Sequence, residues 1–182
     1  AQAAQSQNQA LTYLADCENL PIEDNYFDLV LSSFTFQWLE KPWLGFYELI
    51  RVIKTNGKIL LALPVAGSLQ ELVLLKAAGQ YHYRLNQFLE MAQIKQILGQ
   101  IKQAHFNLEY DFELITLQQH FATLRALFKS FAKIGAGAKD QQISYLGKAF
   151  WSDFERAYRA KIDDQKYFLT WQIIFLEIKK IA

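Results

Sequence analysis

Polar side chains follow two apolar stretches of this 182-residue chain, and both stretches have the composition of a β-strand. Asp16 and Cys17 come after a short apolar segment, and Ser32 and Ser33 end the run Phe27–Ser33. Ligands of open α/β sheets bind outside the carboxyl ends of the strands, so we expect these two strands to be neighbours and their ends to form one site. A carboxylate there could accept a hydrogen bond from an exocyclic amine, and small serines leave room for a polar tail. Ordinary turn, cap or loop roles remain the alternative for all four residues.

The segments around these residues predict a βαβ unit. Two continuous apolar runs, 27–33 and 58–64, are separated by a stretch with apolar residues at helical spacing. Pro42 stands where that helix would begin. Asn56 and Gly57 would end it, because both residues tolerate positive φ. Since parallel strands joined by a helix are covered on both faces, we expect a buried strand at 27–33.

The rest of the chain alternates between helical and strand-like patterns. Helical spacing is found at 68–80, 91–101, 121–131 and 146–158, and strand-like runs are found at 108–114 and 167–178. In the last strand, we expect the odd-numbered residues from Leu169 to Phe175 to share one face. These elements predict an α/β fold, with parallel strands early in the chain and an antiparallel pair late.

Composition excludes several classes of protein and site. Apolar residues make up 52% of the chain, charged residues 20%, and the formal net charge is +1. We therefore expect a globular protein that binds neither nucleic acid nor a membrane through a strong overall charge. One cysteine and three widely spaced histidines argue against a disulfide framework and a metal site. With no membrane-length apolar run and no export signal, we expect a cytoplasmic protein. We also expect it to be a monomer.

Two common sequence motifs are missing. No G-x-G-x-x-G precedes a helix, since Gly135-Ala136-Gly137 comes after a helical stretch. No G-x-S-x-G is present, which argues against an α/β-hydrolase.

Aromatic and basic residues offer further candidates for a site. Phe34, Phe36 and Trp38 follow the serines, and they could either pack in the core or form the wall of a pocket. Arg84 is the only arginine between Arg51 and Arg125, and it could either anchor a carboxylate or phosphate or lie at the surface.

Three segments together resemble the second half of a class I S-adenosylmethionine (SAM) methyltransferase domain. They are 15–21 (ADCENLP), 27–33 (FDLVLSS) and 48–57 (ELIRVIKTNG). The family pattern is roughly D-x-E-x-L-P, F-D-x-V-x-S-[SN] and E-x-x-R-V-L-K-P-G-G. Thr55 and Asn56 stand where proline and glycine are usual, which changes the turn rather than the cofactor contacts. The resemblance implies a Rossmann-like, mostly parallel sheet with a C-terminal antiparallel strand pair.

Later segments narrow the resemblance to the malonyl-acyl-carrier-protein O-methyltransferases of biotin synthesis. They are 36–38, 67–72, 86–88, 133–136 and 169–171. This family implies methyl transfer from SAM to the free carboxylate of a malonyl thioester carried by acyl carrier protein. The open alternatives are a SAM-dependent methyltransferase of another small carboxylic acid or metabolite, and a degenerate, non-catalytic methyltransferase-like domain.

The resemblance also implies roles for individual residues. Asp16 would accept a hydrogen bond from the adenine amino group, Cys17 would offer its backbone N–H, and Ser32 and Ser33 would lie beside the methionine end. The substrate-side residues would be Phe36, Gln37, Trp38, Tyr83, Arg84 and Gln87. The family commonly has arginine at the position of Gln87, so Arg84 is the candidate anchor for the substrate. No catalytic base is assigned, because a carboxylate with a pKa near ~4 is already ionised.

The family's first strand, its glycine-rich turn and its ribose-binding acid have no counterpart in the chain. We therefore expect residues 1–182 to be the C-terminal two-thirds of a single methyltransferase domain whose N-terminal strands are missing. A helical insertion at about 68–106 would form a lid on the substrate side. Residues 1–182 alone would bind SAM poorly and be inactive.

Overall fold

The computed structural model describes residues 3–5, 11–77, 87–104, 106–133, 147–163 and 165–182. Within it, the chain divides into two compact units. The first contains Ala1–Leu63, Leu89–Glu113 and Ile174–Ala182, and the second contains Pro64–Phe88 and Leu114–Ile173. Residues of the predicted insertion at 68–106 fall in both units, and its role as a lid stays a prediction.

The described residues form six strands and five α-helices. The strands are β1 (Ala3–Gln5), β2 (Leu11–Tyr13), β3 (Phe27–Ser33), β4 (Ile53–Pro64), β5 (Leu108–Phe121) and β6 (Tyr167–Lys180). The helices are α1 (Pro42–Val52), α2 (Gln70–Ala77), α3 (Met91–Ala104), α4 (Leu124–Lys133) and α5 (Lys148–Lys161). Each of the predicted strands and helices has a counterpart here, but two predicted strands are too short: β4 begins at Ile53 instead of 58, and β5 continues to Phe121 instead of ending at 114.

The main sheet is mixed and has the strand order β3-β4-β6-β5. β3 and β4 are parallel, with Val30 opposite Ile59 and Ser33 opposite Ala62, which confirms the predicted βαβ unit around α1. β6 runs antiparallel to β4. Nζ of Lys180, near the end of β6, donates to the carbonyl of Ile53 at the start of β4, whereas Glu177, earlier in β6, forms an ion pair with Lys58, later in β4. The N–H of Ile181 donates to the carbonyl of Asn107 just before β5, which is the pairing of antiparallel neighbours.

Two residues shape an irregularity in the pairing of β3 with β4, where the register shifts between the pairs Phe27–Ile53 and Leu29–Lys58. Asn56 has a φ of 67°, as expected of a residue that tolerates positive φ. The prediction that Asn56 and Gly57 end the helix is wrong, because α1 already ends at Val52 and both residues lie within β4. At Gly57 a Cβ atom would lie 2.7 Å from Cγ1 of Ile53 and 3.0 Å from the carbonyl oxygen of Asp28. The chain passes so close to itself that only glycine fits without a shift of the backbone.

The first unit buries one side of its sheet strands and leaves the other side exposed. The buried side includes Ile59 and Leu61, and the mutually contacting helices α1 and α3 contribute further buried apolar residues. On the opposite side four large apolar residues are 39–68% exposed, namely Leu29, Leu31, Leu60 and Phe175. The prediction of a strand buried on both faces at 27–33 is therefore wrong for the described residues. An unbroken apolar run is typical of a strand that is covered on both faces. In this structure, however, the surrounding elements bury only one face of β3.

β2 confirms the predicted short strand before Asp16 but not its expected neighbour. It pairs antiparallel with β1 in a separate two-stranded sheet, with Ala3 opposite Tyr13, instead of lying beside β3. The two predicted strand ends are therefore not adjacent in one sheet. Pairing between segments that are close in the sequence costs less conformational entropy than a distant pairing.

The second unit is built around α5 and the first half of β6. Phe154 and Tyr158 on α5 are fully buried, and the Tyr158 hydroxyl donates to the carbonyl of Phe168 at 2.8 Å. The odd-numbered residues of β6 are buried up to Ile173, as predicted. Phe175 is 48% exposed, because the buried side switches to the even-numbered residues from Ile174 onward.

No helix among the described residues is long and apolar enough to cross a membrane.

Candidate active site

Asp16 begins a tight turn that follows β2. Its Oδ1 accepts the backbone N–H of Glu18 at 2.9 Å, and its carbonyl accepts the N–H of Asn19 at 3.1 Å. Such an Asx turn fixes the backbone around Cys17, which is half-buried. Asp16 itself is exposed, and its Oδ2 has no hydrogen-bond donor within the described part of the chain. One carboxylate oxygen therefore holds the turn, and the other can accept a bond from a ligand.

Hydrogen bonds join this turn, and Leu20 directly after it, to both ends of α1. Oε1 of Glu18 accepts the backbone N–H of Lys41, one residue before the helix begins, at 2.7 Å. Oε2 of Glu48, in the last turns of the helix, accepts the N–H of Leu20 at 2.8 Å. Lys41 lies only three residues after Trp38. The bond between Lys41 and Glu18 therefore holds the Asp16 turn close to the segment that follows β3.

Glu48 is held in turn by Arg51. Nε and Nη2 of Arg51 donate to the two carboxylate oxygens of Glu48 at 2.9 and 2.7 Å. The hydrogen bond from Arg51 keeps the pKa of the Glu48 carboxyl below its ordinary value of 4.5, and the same bond raises the pKa of the arginine. No role was predicted for either residue. Their i, i+3 spacing in the E-x-x-R segment was the available signal.

Ser32 and Ser33 lie at the carboxyl end of β3, as predicted, and the chain turns sharply after them. Phe34 has a φ of 52°, a conformation that is uncommon for a bulky side chain, and its N–H donates to the carbonyl of Ala62 at 2.9 Å. The Thr35 hydroxyl donates to the carbonyl of Ser33 at 3.3 Å. Strained residues of this kind cluster at ligand sites, so the strain supports a functional role for this turn.

A groove of about 720 Å³ lies over the exposed side of the first unit's sheet. It is lined by Leu31–Ser33, Leu60–Ala62, Asp111–Glu113 and Phe175–Glu177. Ser32 and Ser33 are both among the lining residues of this groove, whereas Asp16 and Cys17 are not. Because neighbouring strand residues point to opposite faces, the side chain of Ser33 shares the exposed face with Leu31 and that of Ser32 does not. The structure brings the serines to a groove and does not bring the Asp16 turn into the same one.

The three predicted aromatic and amide residues after β3 have different surroundings. Phe36 is 5% exposed and packs on Phe46 with ring centroids 4.5 Å apart, which favours its core role. Gln37 is half-buried, and Trp38 is 47% exposed, so the indole is available to a ligand. Gln87 is exposed. The remaining predicted substrate residues, Tyr83 and Arg84, lie outside the described residues.

The second unit contains a polar cluster formed by the segments 67–72 and 169–171, whose residues had no predicted roles. The Ser68 hydroxyl donates to the carbonyl of Gln172 and accepts its N–H, both at 3.0 Å. The carboxylate of Glu71, 2% exposed, accepts both the N–H and the hydroxyl of Thr170. Leu69, between them, has a φ of 55°. These bonds fix the start of α2 against β6.

The comparisons with known proteins agree with this fold. Residues 1–61 match the model of a family described as a methyltransferase domain. Among solved structures, a candidate methyltransferase from Bacillus halodurans superposes with a TM-score of 0.56 at 16% identity, covering 92% of this chain and 70% of that one. The YcgJ protein of Bacillus subtilis superposes with a TM-score of 0.59 at 13% identity and the same two coverages. At these identities the likeness concerns the fold.

Curated relatives extend the similarity to most of the chain. A malonyl-[acyl-carrier protein] O-methyltransferase of Alcanivorax borkumensis is 30% identical over 166 residues, which are 91% of this chain and 55% of that protein. The protein of the same description from Buchnera aphidicola is 36% identical over 134 residues, or 73% of this chain and 51% of that one. The chain thus spans about half the length of these relatives. The resemblance inferred from the sequence is confirmed: this chain has the class I methyltransferase fold, and its sequence is similar to the malonyl-[acyl-carrier protein] O-methyltransferases.

Proposed function

We propose that the protein is a SAM-dependent methyltransferase that methylates the free carboxylate of the malonyl group on acyl carrier protein, an early step of biotin synthesis. The observation that carries this proposal is the extent of the similarity. The general methyltransferase match covers residues 1–61, but the similarity to the malonyl-[acyl-carrier protein] enzymes continues over 91% of the chain. The parts beyond residue 61 include the segments through which a substrate would be selected.

The residues around the Asp16 turn suit an adenosyl group. An adenine amino group needs an acceptor, and Oδ2 of Asp16 is an exposed carboxylate oxygen beside a turn that is already fixed. The backbone N–H of Cys17 would serve a ring nitrogen of the base, and Ser32 and Ser33 would border the methionine end. SAM supplies a methyl group on a positively charged sulfur, which makes the sulfur a good leaving group.

The substrate side requires little acid–base chemistry. A malonyl carboxylate has a pKa near ~4 and is ionised at neutral pH, so no side chain has to remove a proton. The protein's contribution is to orient the carboxylate and to exclude water. Among the described residues, Trp38 offers an exposed apolar surface, whereas the amide oxygen of the neighbouring Gln37 is buried.

The remaining proposals concern the substrate's anchor and the partner. Arg84 would bind the malonyl carboxylate electrostatically in place of the arginine that the family commonly has at the position of Gln87, with Tyr83 completing that side. The segment at about 68–106 would act as the lid. Acyl carrier protein would be the macromolecular partner of a cytoplasmic, monomeric enzyme.

Methyl transfer to a panel of acceptors tests the proposal. The full-length protein is incubated with SAM labelled in the methyl group and with malonyl-acyl carrier protein, acetyl-acyl carrier protein or free malonate. We expect label only on the malonyl carrier protein, in a form released by mild base as expected for a methyl ester. Acetyl-acyl carrier protein is the matched control because it differs only in lacking the carboxylate.

Other outcomes would replace the proposal with one of its alternatives. Efficient labelling of free malonate or another free acid, without labelling of the carrier-bound form, would indicate a methyltransferase of small metabolites. The absence of both methyl transfer and SAM binding would indicate a non-catalytic domain.

A further inference from the structure

Two charged residues of α1 hold the loop that carries Asp16. We infer that Glu48 and Arg51 are positioning residues for recognition of the base of the adenosyl ligand, acting through Asp16 without touching the ligand. The inference rests on the proposed function, because it assumes that Asp16 accepts the adenine amino group. It concerns residues that neither the family resemblance nor the comparisons assign to the ligand.

The pair Glu48 and Arg51, called the clamp below, bonds both backbone groups of one loop residue, Leu20. Oε2 of Glu48 accepts the N–H of Leu20 at 2.8 Å, and Nη2 of Arg51 donates to the carbonyl of the same residue at 3.1 Å. The two side chains are themselves joined by a two-pronged ion pair and are only 10% and 17% exposed. A charge-assisted, bidentate pair shielded from water is among the stronger polar contacts. It therefore fixes Leu20 rigidly relative to α1.

The guanidinium of Arg51 also forms hydrogen bonds with later residues of the same loop. Nη1 of Arg51 donates to the carbonyl of Ile22 at 2.7 Å and to Oδ1 of Asp24 at 2.6 Å. One planar side chain thus bonds three acceptors in the segment 20–24 while also binding Glu48. Lysine has the same charge but a single side-chain nitrogen, so it cannot donate hydrogen bonds to all of these acceptors at once.

The position of Asp16 follows from this anchor. The turn at Asp16 closes on Asn19, which is the neighbour of Leu20, and Asp16 is itself exposed. The second attachment of the turn is the bond from Lys41 to Glu18. If the Leu20 anchor loosens, the carboxylate can drift by a fraction of an ångström from the exocyclic amine while the fold of the unit persists. A hydrogen bond weakens steeply under such a displacement.

Selectivity between two ligands separates positioning from general structural support. S-adenosylhomocysteine has the exocyclic amine, and S-inosylhomocysteine has an oxygen in its place. Their dissociation constants are measured by isothermal titration calorimetry for the full-length wild type and for Arg51→Lys, Glu48→Gln and Asp16→Ala. Arg156→Lys is the matched control, since Arg156 forms an exposed ion pair on α5. Thermal unfolding of every variant is recorded in parallel.

We expect the wild type to prefer the adenosyl ligand, and Arg51→Lys to reduce that preference about tenfold by removing the benefit of one hydrogen bond. Glu48→Gln should reduce it similarly, and it replaces Arg51→Lys if the latter does not fold. Arg156→Lys should leave the preference unchanged. An equal loss of affinity for both ligands in Arg51→Lys and Glu48→Gln would show a purely structural role and overturn the inference.

The controls separate this inference from the proposed function. If Asp16→Ala abolishes the preference and the clamp variants retain it, the inference fails while the assignment of Asp16 stands. If the wild type binds neither ligand, or binds both equally well, the proposed role of Asp16 fails, and the inference fails with it.

Discussion

Replacing Gly57 by alanine should destabilise the first unit, and the structure sets the size of the effect. The added Cβ would lie 2.7 Å from Cγ1 of Ile53, 2.9 Å from the carbonyl oxygen of Lys54 and 3.0 Å from that of Asp28. Two of these three atoms are backbone oxygens of paired strands, which cannot move aside as the end of a flexible side chain can. Forcing an extra methyl into such a site costs about 1–3 kcal/mol.

Gly99→Ala is the matched control, because it makes the same chemical change where there is room. Gly99 lies inside α3, and a methyl group added there would have no neighbouring atom within 4 Å. Alanine should stabilise this helix by about 0.5–1 kcal/mol relative to glycine. The two variants should therefore differ by about 1.5–4 kcal/mol in the free energy of unfolding, although both exchange glycine for alanine.

Urea unfolding followed by far-ultraviolet circular dichroism measures this difference. The midpoint should fall for Gly57→Ala and rise slightly for Gly99→Ala, with similar slopes. If both variants unfold at the same urea concentration, or if Gly57→Ala is the more stable, the close approach of β3 and β4 at Gly57 is not as described.

Three further predictions concern single side chains. Asp16→Ala should weaken the binding of S-adenosylhomocysteine by about 1–3 kcal/mol through a lost hydrogen bond, measurable by calorimetry; unchanged affinity would remove Asp16 from the site. Tyr158→Phe should lower the free energy of unfolding by about 1–3 kcal/mol, because the hydroxyl both donates to and accepts from the backbone of Phe168, whereas an unchanged urea midpoint would contradict this. The hydrogen bond from Arg51 lowers the pKa of Glu48, so its contribution to stability is present above the ordinary value of 4.5 and is lost as the pH falls through the lowered pKa. Unfolding midpoints between pH 3 and 7 should thus fall less steeply on acidification for Glu48→Gln than for the wild type, and parallel curves would refute the assignment.

Local signals predicted most of the secondary structure. Pro42 begins α1 and Asn56 takes a positive φ, because both residue types have strong backbone preferences that neighbours rarely override. The apolar run at 27–33 correctly predicted a strand but not its exposure. Burial depends on which elements cover each face, and that information is not contained in the strand's own residues. The pairing of β2 with β1 was missed for a similar reason, since three-residue strands carry little pattern.

The candidate site was predictable only where neighbouring residues define it. The polar residues at the end of β3 and after β2 could be found from their positions after apolar stretches. The clamp on the Asp16 loop could not, because Arg51 bonds carbonyl groups 29 and 31 residues away. The buried bonds between Glu71 and Thr170 join positions 99 residues apart. Contacts at such separations follow from the fold and leave no periodic trace in the sequence.

The most direct test of the proposed cofactor site is a crystal structure of the full-length protein with S-adenosylhomocysteine. We predict that the exocyclic amine of the adenine lies within hydrogen-bond distance, about 2.7–3.2 Å, of the Asp16 carboxylate. We also predict that Ser32 and Ser33 border the homocysteine end. A ligand bound elsewhere, with Asp16 facing only solvent, would contradict the account.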